Sequence, residues 1–172
     1  MHVRYNIMSP HCFILILIHL LCLILTTNAS APTNELHHQF MDKQNQARKA
    51  VGLNRLVWSD TLARYAGSYA GQRREDCALE HSNGPYGENI FWGSGDEWTP
   101  DQAAAAWVDE GQWYDYGSNS CAEEQQCGHY TQIVWRNTSK IGCARVVCDD
   151  DKGVFMTCNY DPPGNYYGER PY

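Results

Sequence analysis

The chain is short of positive charge. Its 13 Lys and Arg stand against 20 Asp and Glu, a formal −7 with neutral histidines. A surface of that sign repels phosphate backbones, which argues against nucleic acid as a partner. A second long apolar run is also missing. The one present spans Cys12 to Leu25, 14 residues interrupted by His19, and a membrane-spanning helix needs roughly 20. Arg4 precedes it and the small residues Ala29, Ser30 and Ala31 follow, so it reads as a secretory signal peptide rather than an anchor. Pro32 disfavours cleavage directly after Ala31. The expected division is residues 1–30 as signal peptide and 31–172 as one mature domain with no transmembrane segment. No repeat or long linker splits the mature part, and roughly 140 residues suffice for one core.

Free thiols are expected to be lacking as well. Cys12 and Cys22 leave with the signal, so six of the 8 cysteines remain: Cys77, Cys121, Cys127, Cys143, Cys148 and Cys158. An even count in a secreted chain reads as three disulfides, and spacing alone does not choose among the fifteen pairings. A structural zinc site is disfavoured, because Cys143 and Cys148 have no second close pair to complete four ligands. Loss of Arg4 lowers the 13 basic residues to 12 against 20 acidic, taking the formal charge from −7 to −8.

Apolar periodicity predicts a first helix over 33–51, with Leu36, Phe40, Ala47 and Val51 on one face and Gly52 as its stop. A short segment, Leu56 to Trp58, precedes Ser59, an N-cap with Asp60 in the first turn. Leu62, Tyr65, Ala66, Tyr69 and Ala70 then recur at clean helical spacing. Residues 77–95 read as a glycine-punctuated loop carrying His81, Glu88 and Asn89, where polar groups are more often functional than on a helix surface. Thr99, Pro100 and Gln102 form a capping box that opens a third helix, in which Glu110 is spaced to lie among Trp107, Trp113 and Tyr114. A carboxylate there either snorkels outward or is held by a buried partner.

Alternating residues predict strands at Tyr130–Arg136, Cys143–Cys148 and Val154–Tyr160, the last two joined by a charged hairpin at 149–153. Gly128 leaves space beside His129 for another chain segment or a small ligand. Asn137 begins a glycosylation sequon. Residues 161–172, rich in proline and glycine, read as extended or irregular. Helices around a few strands predict an α+β sandwich, a central sheet covered on both faces. Four groups stand out for chemistry: His81, Glu88, Glu110 and His129. Two imidazoles and two carboxylates suit a divalent metal or acid–base work.

Several blocks carry a resemblance. His81 to Asn89 (HSNGPYGEN), Trp107 to Glu110 (WVDE), Cys127 to Asn137 (CGHYTQIVWRN), Cys158 to Tyr160 (CNY) and the closing Pro171-Tyr172 resemble the signature segments of plant pathogenesis-related class one proteins. These belong to the CAP superfamily of cysteine-rich secretory proteins, antigen five and pathogenesis-related class one. The resemblance covers the mature chain and implies a three-layer α-β-α sandwich. It implies disulfides Cys77–Cys148, Cys121–Cys127 and Cys143–Cys158. It also implies a cleft holding the tetrad His81, Glu88, Glu110 and His129, whose histidines bind zinc or another divalent cation weakly. One departure falls in the first helix, where Gln44 replaces the histidine of the family's HNxxR segment, here Gln44 to Arg48. That puts a ligand-contact role for this helix in doubt, but not the fold.

The expectation that follows is a secreted, extracellular defence protein of the apoplast, with the vacuole as a second destination, monomeric, and a binding protein rather than an enzyme. The ligands implied are sterols or lipids, gripped by Phe91, Trp92 and Trp98 beside the glycine-rich segment. The tail 162–172 resembles an immune signalling peptide released by cleavage between Asp161 and Pro162 and read by a receptor; the competing reading is a strap that closes the sandwich. The rival class is a metal-dependent hydrolase, with His81 and His129 on the metal and Glu88 or Glu110 as base.

Overall fold

The computed structural model describes residues 32–172, with side chains from Glu35 onward. The expected signal peptide and its cleavage site lie outside the described residues. Helix α1 (Pro32–Ala50) ends where Gly52 takes a left-handed φ of 75°, a conformation glycine adopts without penalty. Strand β1 (Val57–Trp58) leads into α2 (Asp60–Gln72), whose N-cap Ser59 accepts the Leu62 amide. Helix α3 (Pro100–Asp109) starts from the predicted capping box at Thr99 and Gln102. A tight 3₁₀ turn, Glu110–Trp113, follows, and then a two-stranded ribbon, β3 (Tyr114–Asp115) with β4 (Ser120–Cys121).

The main sheet has the order β1-β5-β6-β2, where β2 is Gly87–Gly93, β5 Lys140–Val147 and β6 Val154–Asp161. β5 and β6 form the predicted hairpin, β1 pairs parallel to β5, and β2 pairs antiparallel to β6 at the far edge. The core follows the period of the strands. On β6, Val154, Met156, Cys158 and Tyr160 face a cluster with Phe40 of α1, Ala103 and Trp107 of α3, and Ile133. Phe155 faces the opposite way, toward Ala70 of α2, Ile90 and the Cys77–Cys148 bridge. Helices therefore cover both faces of one sheet, the α-β-α sandwich. Glu35–Tyr172 forms one compact unit.

Three disulfides staple it: Cys77–Cys148, Cys121–Cys127 and Cys143–Cys158. The last joins directly opposed residues of β5 and β6.

Two expectations are corrected. Residues 130–136 are not a strand; Gly128–Ile133 is a short helix, α4, followed by a turn. Gln132, Ile133, Val134 and Trp135 are buried in succession, as residues 154–160 of β6 also are, so burial does not decide between helix and strand. The Thr131 and Val134 amides donate to the Cys127 and Tyr130 carbonyls four residues back, which is the helical pattern. A short apolar run carries too few residues for its period to be read, and tertiary packing decides. Residues 87–93 are a strand rather than a loop. Gly87 and Gly93 are sites of close approach: a Cβ on them would lie 2.1 Å from Gln132 Oε1 and 2.4 Å from Trp98.

Candidate functional site

The tetrad is built around β2, the edge strand. Alternation along β2 sends Glu88 to the α2 side of the sheet with Ile90, and Asn89 to the side of α3 and α4. One half of the site therefore comes from each layer, and the two meet at the sheet edge.

In the first half, His81 sits in the loop after α2. Its Nδ1 lies 2.9 Å from Glu88 Oε1, which also accepts the Ser82 amide at 2.8 Å. Asn159 Nδ2, directly across the ladder on β6, donates to Glu88 Oε2 at 3.2 Å. Glu88 is 5% exposed and His81 52%, so a held carboxylate orients an open imidazole.

The second half mirrors it. Glu110 opens the 3₁₀ turn where α3 tightens, so the predicted aromatic face breaks there: Trp107 is buried and Trp113 exposed. Of the two alternatives for this carboxylate, the held one occurs. Glu110 Oε1 lies 2.5 Å from His129 Nδ1, and Oε2 accepts the amides of His129 at 2.9 Å and Tyr130 at 3.2 Å. Cys127, tied to Cys121, is the residue from which α4 starts.

Both histidines line a cleft of about 360 Å³ together with Glu88, Asn89, Gln126 and Asn165. A Cβ on Gly128 would meet nothing within 4 Å, so the space expected beside His129 is the cleft itself. Each imidazole uses Nδ1 for its carboxylate, which leaves Nε2 as the nitrogen available to a ligand. Among the described residues, no group of three or more His, Cys, Asp or Glu side chains is gathered closely enough to hold a metal by itself.

Several supporting residues carry no local signal in the sequence. Asn89 Nδ2 donates to the His129 carbonyl at 3.1 Å and to Tyr160 Oη at 3.2 Å. Tyr160 Oη donates to Gln44 Oε1 at 2.7 Å. Burial pushes the Tyr160 phenol far above its usual range, outweighing its hydrogen bonds to Gln44 and Asn89, so it stays a donor. Gln44 is buried and supports the cleft from behind rather than entering it. Asn165 reaches the cleft from the tail. Asn89, Tyr160 and Gln44 stand inside segments that carry the resemblance; Asn165 does not.

The aromatic trio lies further along and beyond β2. Phe91 is half-buried against the core and meets Trp98 edge-on at 5.3 Å. Trp92 and Trp98 are 45% and 37% exposed. Their indole N–H groups donate to the Lys152 and Ser94 carbonyls at 2.9 Å, so both rings are held. Asn137 is exposed.

Residues 41–160 match the Cysteine-rich secretory protein family, and the chain belongs to that family. Among plant proteins, it is 67% identical over 143 residues to the Pathogenesis-related protein PR-1 of Medicago truncatula, covering 83% of each chain. It is 50% identical over 157 residues to Pathogenesis-related protein 1A of Nicotiana tabacum, covering 91% of this chain and 93% of that one. The crystal structure of Na-ASP-1 superposes with a TM-score of 0.69 at 24% identity over 85% of this chain; the chain spans 44% of that longer protein, and the likeness is one of fold.

Proposed function

We propose that this is a secreted plant defence protein that binds sterols or related lipids of microbial pathogens. The defence role is carried by the likeness to pathogenesis-related relatives along nearly the whole chain. Three disulfides and an N-terminal signal-like segment support secretion to the extracellular space. No helix among the described residues is long and apolar enough to cross a membrane. The observation that carries the lipid reading is the exposed Trp98 indole held edge-on against half-buried Phe91, with a second exposed indole, Trp92, held on the opposite face of β2. Pre-set aromatic surface offers a flat apolar ligand contact area at little ordering cost. The test is titration of the secreted protein with a fluorescent sterol. Binding should saturate and weaken about tenfold in Trp92→Ala or Trp98→Ala, the worth of one aromatic contact. Unchanged affinity in both variants and in Phe91→Ala removes this surface from the reading.

A second reading concerns the tetrad, and the two carboxylate–imidazole pairs favour it. His81 and His129 would hold a divalent ion through Nε2, with Glu88 and Glu110 fixing the rings from behind. Two imidazoles fit zinc as a weak, open site rather than a structural one. When bound, the ion would supply Lewis acidity in the cleft. Calorimetry with zinc should give one site that is lost in His81→Ala and in His129→Ala. Turnover of a peptide library by the zinc-loaded protein would move the assignment to hydrolase; binding without turnover leaves a binding site.

A third reading is release of residues 162–172 as a signalling peptide. The bond before Pro162 follows a half-buried Asp161 at the end of β6, and Tyr166 and Tyr167 beyond it are exposed. Mass spectrometry of secreted material after immune challenge tests it, and exclusively intact C-termini would refute it.

A further inference from the structure

Helix α4 has six residues. An isolated helix that short does not hold itself, so its position is inherited from whatever packs against it. One of those neighbours is the C-terminal segment. Of the residues of α4 and its turn that touch it, Gly128, Thr131, Gln132 and Trp135 are spaced i, i+3, i+4 and i+7, along a single helical face, and Tyr130 meets Tyr172 at its far end.

The contacts are specific. Asn165 Nδ2 donates to the Gly128 carbonyl at 2.8 Å, and Thr131 Oγ1 donates to Asn165 Oδ1 at 2.8 Å. Asn165 has φ 58°, a left-handed conformation that asparagine tolerates better than most residues. The Gly164 amide donates to Gln132 Oε1 at 2.9 Å, and a Cβ on Gly164 would lie 2.5 Å from Trp135 Cγ. Gln132 is buried, and its amide group is wedged between Gly164 and Gly87, the residue before Glu88. The far end of the segment is anchored too. The Arg136 amide donates to the Pro171 carbonyl at 2.6 Å, and Arg170 donates to the Tyr116 and Gly117 carbonyls at 3.1 and 2.9 Å. Tyr172 stacks on Tyr116.

We propose that the C-terminal segment, through Gly164 and Asn165, is a positioning element for the tetrad: it holds α4, and α4 holds His129 against Glu110. Glu110 Oε2 is bound by the first amides of that helix, and His129 is its second residue, so a shift of α4 moves both members of this pair at once. The His81–Glu88 half is fixed separately by Ser82 and Asn159, and it meets α4 only through the residues flanking Glu88, Gly87 against Gln132 and Asn89 on the His129 carbonyl. The state of the tail therefore sets the spacing between the two halves of the cleft. By linkage, a ligand that bridges the two histidines tightens the tail by the same factor by which the tail tightens the ligand. This holds whatever the cleft binds, and it does not depend on the tail being cut.

The test is amide hydrogen exchange on the full-length, oxidised protein. Asn165→Gly removes both side-chain bonds while leaving the left-handed backbone free; Gly164→Ala drives a methyl group into Trp135. The expected result in both is exchange about tenfold faster or more at the His129 and Tyr130 amides, with Ser82 and the β5–β6 ladder unchanged. Three results would overturn the proposal. One is faster exchange at Arg136, which reports the tail, without change at His129 and Tyr130. Another is no change anywhere in either variant. The third is a uniform rise that includes β6, which would mean general destabilisation rather than local positioning.

Discussion

Arg48 is the most consequential charge in the molecule. It is 1% exposed, and no carboxylate among the described residues pairs with it. Its guanidinium instead donates to four carbonyls: Asn54 at 2.7 Å, Ile133 and Trp135 at 2.8 Å, and Thr138 at 2.9 Å. Burial lowers its pKa below the usual arginine range, partly opposed by Tyr160, yet it stays charged at any physiological pH. Ile133 and Trp135 lie at the C-terminal end of α4, so Arg48 ties the first helix to the helix bearing His129. In Arg48→Ala the Trp135 carbonyl keeps the Thr138 amide and the carbonyl of exposed Asn54 can take water, but the buried Ile133 and Thr138 carbonyls lose this donor. Each buried acceptor left unpaired costs about 1–3 kcal/mol, and correlated losses within one network do not add fully, which gives a loss of about 4 kcal/mol. For a domain of this size that is a fall in Tm of roughly 12 °C. Urea and thermal unfolding of the oxidised protein measure it. Arg48→Lys keeps the charge but not the fork of donors, and should lose roughly half as much. A loss under about 1 kcal/mol in Arg48→Ala would mean that water replaces the guanidinium, and would refute the claim that these carbonyls depend on it.

Three other outcomes follow from the same structure. Chain entropy makes the bridge spanning 71 residues worth more than the one spanning 6. Replacing Cys77 and Cys148 by alanine should cost about 4 kcal/mol, against about 2 kcal/mol for Cys121 and Cys127, by chemical unfolding; equal losses would contradict this. His37 stacks on Trp58 at 3.8 Å, and burial lowers its pKa from 6.5, outweighing the opposing pull of Asp60. The unfolded chain then binds the proton more readily, so this contribution to stability is complete above 6.5 and lost as pH falls through the lowered folded value. Stability of His37→Gln should therefore fall less than wild type between about pH 7 and 5, and parallel curves would refute this. Glu110→Gln presents an amide nitrogen to donors that a carboxylate accepts. It should weaken zinc binding about 10- to 100-fold by calorimetry while far-UV circular dichroism stays unchanged.

How far the sequence could be read varied from element to element, for physical reasons. The first three helices announce themselves because caps and periodicity are local: Ser59, Thr99 with Gln102, and the row Leu62, Ala66, Ala70 all act where they were expected. The hairpin of β5 and β6 is equally local. β2 was hidden because its glycines look like loop punctuation, and their purpose, room for Gln132 and Trp98, involves side chains distant in the sequence. The four tetrad residues stand out by type, but their convergence is legible only through motif resemblance. No spacing in the chain tells that β2 is an edge strand, and the edge is what lets one carboxylate pair approach from each layer. The disulfide partners were open for the same reason, since pairing is decided by the register of the sheet rather than by separation along the chain.

The stretch from Cys127 to Trp135 shows why its period could not be settled from residue types. If it were a strand, Gly128, Gln132 and Val134 would share one face and Thr131, Ile133 and Trp135 the other. The tail instead touches Gly128, Thr131, Gln132 and Trp135, drawn from both of those faces, and only a helical turn brings them together. The same turn sends His129 toward the cleft and Ile133 into the core. A disulfide precedes the helix, Arg48 binds carbonyls at its end, the core takes one face and the tail another. Each neighbour belongs to a different part of the chain, so none is visible in the helix's own sequence. Six residues cannot supply their own rigidity. The precision of the His129–Glu110 pair is therefore a property of those four supports, and a substitution in any of them should register at His129 before it registers at His81.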